Sequence, residues 1–301
     1  MLFSLRNRSL GCAHAAVCRR HVSRSKSELV RTSVSDGVGW IYLSDPSRLN
    51  ALTVNMGEQF MVAVDKMVKA SNSGDIRSCI ITGDGDAFSA GGDLKWLRAR
   101  HHSTSAYGNS KTMVDFYKRF LSVHKIPVPT IAAINGAAIG AGLCMTLACD
   151  FRLASDNAKL GFTFAKLGIH PGMGCSTLLP RLVGQEYATY LLATGKIINS
   201  KVAAERGLIL ESVNTEGMGE DEAPSDLVCA RALKLAKELG SGAPIAVQGV
   251  VQTLRNAKFD GLFDTLLWRE ADSQAVAYSS KDFVRGLDAV EAKAVPNFEG
   301  H

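Results

Sequence analysis

Residues 135–150 read NGAAIGAGLCMTLACD, and how this stretch is understood decides the fold. Gly136, Gly140 and Gly142 fall within seven positions, after the apolar run TIAAI and before a stretch with helical character. Glycine lets backbone N–H groups come close to something negative. A helix starting near Gly140 points unpaired N–H groups outward. Such a loop suits a phosphate, a dinucleotide, or a charge that develops only during a reaction. The dinucleotide fingerprint needs G-x-G-x-x-G, and Gly140 to Met145 lacks the third glycine; no acid about twenty positions on sits at a strand end. A P-loop needs GK[ST] after its glycines, and this loop has neither. An oxyanion site remains, beside the plainer alternative of a tight turn packing helix against sheet. An oxyanion usually takes two donors. AFSAGGD at 87–93, also following a strand, offers the second from Gly92.

The surroundings alternate strands with helices. VGWIYL (38–43), SCIITG (78–83), TIAAI (130–134) and FRLAS (151–155) read as strands, with KLGF (159–162) as a fifth. Met56, Phe60, Val64, Met67 and Val68 mark one face of a helix. KWLRAR (95–100) opens another, and HHSTSAYGNS (101–110) reads as a polar loop able to close over a ligand. A helix over 111–124 runs into PVP, where proline ends it. Such alternation predicts right-handed crossovers and a mostly parallel sheet. After the acidic, Gly-rich TEGMGEDEAPSD (215–226), residues 225–293 read as helices almost throughout. The predicted organisation is an α/β core over 28–224 and a helical C-terminal subdomain over 225–301.

Composition narrows the class. The 301 residues are 46% hydrophobic, enough for a substantial core, and no stretch of eighteen residues is apolar enough to span a membrane. Seven cysteines form no CxxC pair and sit mostly in apolar runs, which favours reduced thiols over disulfides or zinc. Net charge is +5, but six basic residues precede the first acid, Glu28, and the remainder carries −1. Nothing in that near-neutral body points to nucleic acid. An Arg- and Ser-rich segment without acids over 1–27 fits an organelle transit peptide, with a disordered basic tail as the alternative.

FSAGGDLK (88–95), PVPTIAAINGAAIGAGLCMTLACDFRLAS (127–155) and LGIHPGMGCSTLLPRLVG (167–184) resemble, in that order, the enoyl-CoA hydratase/isomerase or crotonase superfamily. SRLNAL (47–52) resembles its first substrate-side turn, and GKIINSKVAAERGLI (195–209) its segment after the active site. The resemblance covers roughly residues 35–300. It implies a spiral of ββα turns with two roughly perpendicular sheets, a helical C-terminal part, and homotrimers or hexamers. It further implies an acyl-CoA thioester as substrate, bound without metal or redox cofactor, CoA arriving as part of the substrate. The two amides that hold the thioester oxygen map onto Gly92 and Ala141. Ala51, Ser89, Ala90, Asp93, Leu94 and Lys95 map onto the CoA and substrate path, with Lys95 facing a CoA phosphate or simply solvent. A mitochondrial matrix address would place the protein in fatty-acid or branched-chain acyl-CoA metabolism.

One departure matters for chemistry. The family's hydratases use two glutamates, and those positions hold Cys144 and Phe164 here. Phenylalanine can neither take nor give a proton, and a thiol in an apolar helix stays neutral. Two-carboxylate hydration is therefore not expected. His170, in LGIHPG, sits where other members place an alternative acid or base, or else packs its own turn. Cys175 and Ser176 begin the next helix, where a structural role is expected. Asp93 is expected to orient its loop. The KWLRARHH run (95–102) reads as a solvated helix face rather than an RNA-binding one. An acyl-CoA enzyme working through an enolate is the first reading. A catalytically weak acyl-CoA binder or assembly subunit, or an acyl-CoA hydrolase or isomerase using His170, is the alternative.

Overall fold

The computed structural model describes residues 28–103, 105–215 and 223–300, so the transit-peptide reading of 1–27 lies outside the described residues. β1 (Val30–Ser35) and β2 (Val38–Leu43) form an antiparallel pair, and α1 (Val54–Asn72) follows. The chain then winds three times from a large sheet to a small one: β3 (Ser78–Gly83) to β4 (Ala87–Ser89), β5 (Thr130–Ile134) to β6 (Ala137–Ile139), β7 (Phe151–Ser155) to β8 (Lys159–Gly161). α2 (Leu94–Ser103) and α3 (Ala106–Leu121) close the first turn, and α4 (Ala141–Thr146) the second. Past β8 come α5 (Cys175–Leu178), α6 (Pro180–Val183), α7 (Gln185–Thr194), β9 (Ile197–Asn199), α8 (Ser200–Glu205) and β10 (Glu211–Val213). The large sheet runs β1-β2-β3-β5-β7-β10, parallel from β2 onward; the small one runs β4-β6-β8-β9.

Both faces of the large sheet are covered at its central strands β2, β3 and β5, which is why these read as largely apolar runs rather than alternating ones. Ile41, Leu43, Ile81, Ala132 and Ile134 point toward α1 and α3. Trp40, Tyr42, Ile80, Ile131 and Leu153 point the other way, onto α9 (Pro224–Gly240). α9 buries Val228, Cys229, Ala232, Leu235 and Ala236, a helical stripe, against that face. The first helix after the linker is thus a layer of the sheet. α10 (Pro244–Phe259), a π-helical turn (Leu262–Leu266), α11 (Leu267–Tyr278) and α12 (Lys281–Glu291) follow, with α11 packed along α3.

The corners between sheets demand particular residues. A Cβ at Gly83 would stand 2.3 Å from Ala87 O, and one at Gly136 2.0 Å from Asp86 O, so backbone crosses backbone with no room for a side chain. Asn50 Nδ2 donates to Asp84 O (3.0 Å) and Ala87 O (2.8 Å), while Asn135 Nδ2 donates to Gly85 O (2.8 Å). These bonds satisfy carbonyls that the turn would otherwise bury unpaired. On the far side buried Arg255 of α10 pairs with half-buried Asp150 and donates to Val128 O (3.0 Å) and His124 O (3.1 Å). Burial pushes the Asp150 carboxyl up, but Arg255 and the Thr130 donors together hold it below its ordinary value.

The structure corrects one sequence expectation. Residues 101–110 are not a loop: α2 continues to Ser103 and α3 starts at Ala106. Ser105 caps α3 by accepting from Gly108 N, and Asn109 Nδ2 donates to Arg100 O at 3.0 Å, so the polar residues pin two helix ends together. β1 and the three-residue strands β4, β6 and β9 carried no apolar run long enough to be read from sequence.

Candidate active site

Two Gly-rich turns meet back to back. Ser89, at the end of β4, is fully buried; its hydroxyl donates to Asn50 O (2.8 Å) and accepts from Gly91 N (3.1 Å). Gly91 has φ +92°, and a Cβ there would lie 2.6 Å from Ile139 O and 3.5 Å from Ala141 N. Gly142, in the first turn of α4, leaves room for only a hydrogen: a Cβ would stand 2.7 Å from both Ser89 Cβ and Ser89 O. Gly142→Ala should therefore lower stability by about 1–3 kcal/mol. Gly249→Ala in α10, where a Cβ meets nothing within 4 Å, should raise it by roughly 0.5–1 kcal/mol. Urea unfolding of the two variants checks the pair.

Hydrogen bonding leaves one amide open at the seam of each turn. Ala90 N donates to Leu49 O (2.8 Å), and Leu52 N to Gly91 O (2.7 Å). Asp93 N donates to Leu52 O (3.2 Å), while Gly92 N has no acceptor among the described residues. Across the seam Gly140 N donates to Gly161 O (2.7 Å), and Gly140 O accepts from Leu143 N and Cys144 N. Ala141 N, at the first position of α4, has no acceptor among the described residues either. Gly92 and Ala141 both line one cavity of about 920 Å³. Two unpaired N–H groups from separate turns therefore border a common space, where they can hold a developing negative oxygen.

The cavity has a charged mouth and an apolar interior. Arg48, Asp93, Lys95 and Lys166 stand in its wall together with Leu97, Met113, Phe116, Ile169 and Met173. Asp93 caps α2 by accepting from Trp96 N (2.7 Å) and ion-pairs with Arg48, so this carboxylate orients its loop. Ala51, Ala90, Leu94, Lys95 and Phe164 are in the wall as well.

Three other predicted residues are not. Ser89 braces its own turn, as described. Cys144 is fully buried behind the wall against Cys175, whose thiol burial pushes far up. The start of a short helix does not rescue Cys175 as a thiolate. His170 donates Nδ1–H to Pro171 O (2.6 Å) and lies outside the cavity, packing its own turn.

Four residues that the sequence reading passed over also shape the site. Thr163 stands in the wall, its hydroxyl 3.8 Å from where a Gly140 Cβ would be. Tyr117 of α3 and Gln274 of α11 are wall residues joined by a Tyr117 Oη–Gln274 Oε1 bond of 2.6 Å. Glu270, one turn before Gln274, accepts from Gly174 N (2.6 Å), Ser176 N (2.9 Å) and the Ser176 hydroxyl, fixing the start of α5. The available signal was the stripe Leu267, Ala271, Ala275 and Tyr278, which puts 270 and 274 on the buried face of α11.

Burial, the larger effect, raises the Glu270 carboxyl to about 6 while its three donors pull the other way. The folded protein thus binds this proton more tightly than the unfolded chain does. Its contribution to stability is greatest below pH ~4.5 and falls by about 2 kcal/mol as pH rises through 6. Between pH 4.5 and 7 the unfolding free energy of Glu270→Gln should gain on that of the wild type by this amount. A constant gap across that range would refute the assignment.

Comparison with known proteins identifies the family. The enoyl-CoA hydratase/isomerase family matches residues 33–301. The 2,3-dehydroadipyl-CoA hydratase of Escherichia coli K12 is 31% identical over 274 residues, covering 91% of this chain and 99% of its own. The 1,2-epoxyphenylacetyl-CoA isomerase of the same strain has the same identity and coverage. A crystal structure of an enoyl-CoA hydratase from Bacillus halodurans superposes with TM-score 0.75 at 26% identity, covering 87% of this chain and 99% of that one. With that family matched from residue 33 to the end and the ββα spiral in place, the chain belongs to the enoyl-CoA hydratase/isomerase family, with the crotonase fold.

Proposed function

We propose that the protein binds an acyl-CoA thioester in the 920 Å³ cavity and stabilises its enolate with the amides of Gly92 and Ala141. The observation that carries this is the pair of unpartnered N–H groups, held by back-to-back turns, at one wall. Removing the α-hydrogen of a thioester moves charge onto its oxygen. Preorganised donors that gain strength as this charge grows lower the barrier by several kcal/mol, about 2.7–4 for one donor. Arg48, Lys95 and Lys166 at the mouth supply positive charge for the CoA phosphates. CoA comes as part of the substrate, and the chemistry calls for no further cofactor.

Cys144 and Phe164 favour a second reading, an acyl-CoA binder with little turnover. Calorimetric titration with butyryl-CoA, followed by α-hydrogen exchange in heavy water, separates the two. Binding with exchange supports the enzyme, binding without exchange supports the binder, and absence of binding rejects both. His170 as acid or base finds no support in its bond to Pro171.

Assembly as a homotrimer or hexamer is part of the proposal, supported by α10, which leaves Ile245, Val250 and Leu254 exposed at 89%, 60% and 66%. Sedimentation of the purified protein tests it. A mitochondrial matrix address, read from residues 1–27, is tested by fusing that segment to a fluorescent protein. Among the described residues no helix is long and apolar enough to cross a membrane.

A further inference from the structure

Deep in the apolar part of the cavity stand two polar side chains whose bonding is unusually determinate. Gln274 and Tyr117 are each 1% exposed, yet both belong to the wall, beside Met113, Phe116, Ile169 and Met173. Gln274 Oε1 accepts from Tyr117 Oη (2.6 Å) and from Tyr278 Oη (3.1 Å), whose single proton is shared with Met113 Sδ (3.4 Å), and its Nε2 donates to His170 O (2.7 Å). Those three bonds fix the amide orientation, since phenols must find the oxygen and the carbonyl must find the nitrogen. Burial keeps the Tyr117 phenol protonated, so its one proton stays committed to Gln274. One hydrogen on Gln274 Nε2 and a lone pair on Tyr117 Oη are left over. Gly172 is packed against that phenol, a Cβ there standing 2.4 Å from Tyr117 Oη, so the ring cannot swing away from the wall.

One free donor beside one free acceptor is the complement of a hydroxyl group, which both accepts and donates. A carboxylate would meet the lone pair unfavourably. A plain alkyl chain would leave both atoms dry and unpaired. We infer that Tyr117 and Gln274 determine specificity by binding a hydroxyl carried on the acyl portion of the substrate. This rests on the acyl-CoA reading of the cavity and adds the class of acyl group to it.

Calorimetry with the full chain tests it, using butyryl-CoA and its 2-, 3- and 4-hydroxy forms. At least one hydroxylated ligand should bind roughly ten- to a hundredfold more tightly than butyryl-CoA. Tyr117→Phe, which keeps the ring packing, and Gln274→Met should each bring that ligand down to the affinity of butyryl-CoA. Tyr117→Phe decides alone if Gln274→Met does not fold. Equal affinity of all four ligands for the wild type overturns the inference and leaves acyl-CoA binding standing, as does a preference that survives in folded Tyr117→Phe. Binding of none of the four overturns both together.

Discussion

Crotonyl-CoA mixed with the purified protein should lose its double-bond absorbance at least about 10²–10⁴-fold more slowly than with a hydratase carrying both carboxylates. Hydration needs one group to take a proton from water and another to deliver one to carbon. The two expected positions offer a fully buried thiol and a phenyl ring. Asp93 is the one carboxylate among the described wall residues, and it is occupied with Arg48 and Trp96 N at the mouth. Glu270 is nearby in the fold but spends its oxygens on Gly174 and Ser176 and is not in the wall. Hydration at the typical enzyme rate of about 1–10³ per second would sink this reading and send the search to Thr163 and ordered water. Phe164→Glu returns a carboxylate to the wall and should raise the hydration rate by roughly tenfold or more. Cys144→Glu, which buries a charge behind the wall, should instead destabilise the fold.

What could be read from sequence follows from how local the governing physics is. Strands β2, β3, β5 and β7 were legible because both of their faces are largely buried, giving mostly apolar segments. Of the small sheet only β8, within KLGF, was; the others were not, because three-residue strands such as Ala87–Ser89 and Ala137–Ile139 are defined by their pairing across 50 residues, not by any pattern within them. The same divide runs through the site. Gly92 could be named because glycine-rich turns after strands carry a backbone meaning, and Ala141 because its turn resembles the family's. Tyr117, Glu270 and Gln274 could not, because a tyrosine on the apolar face of α3 and polar residues in α11 acquire a role only when those two helices pack. His170 stayed open between an acid–base role and packing of its own turn, because a titratable residue type at a suggestive place says nothing of where its ring turns; here it turns onto Pro171. HHSTSAYGNS misled because capping residues and loop residues are the same residue types.

Ala141→Pro should weaken enolate binding by about 10²–10³-fold while leaving the protein folded. The position makes the substitution feasible. Ala141 is the first helical residue of α4, where proline's fixed φ is tolerated and a missing N–H breaks no helical bond. Gly140 before it is already non-helical, at φ 52° and ψ −122°, so the restriction proline places on its predecessor is met without melting a turn. The substitution takes away the Ala141 hydrogen and puts a methylene in its place, aimed at the spot the oxygen would occupy. Acetoacetyl-CoA is a suitable probe, because its β-keto thioester enolises by itself and the enolate absorbs in the near ultraviolet. The wild type should bind it with growth of that band, needing no acid–base residue to do so. Ala141→Pro, with an unchanged circular dichroism spectrum, should show neither the band nor the affinity. A folded variant that still raises the enolate band at wild-type concentrations would mean the oxygen is held elsewhere, and Gly92 and Ala141 would be no more than the turns that seat two helices.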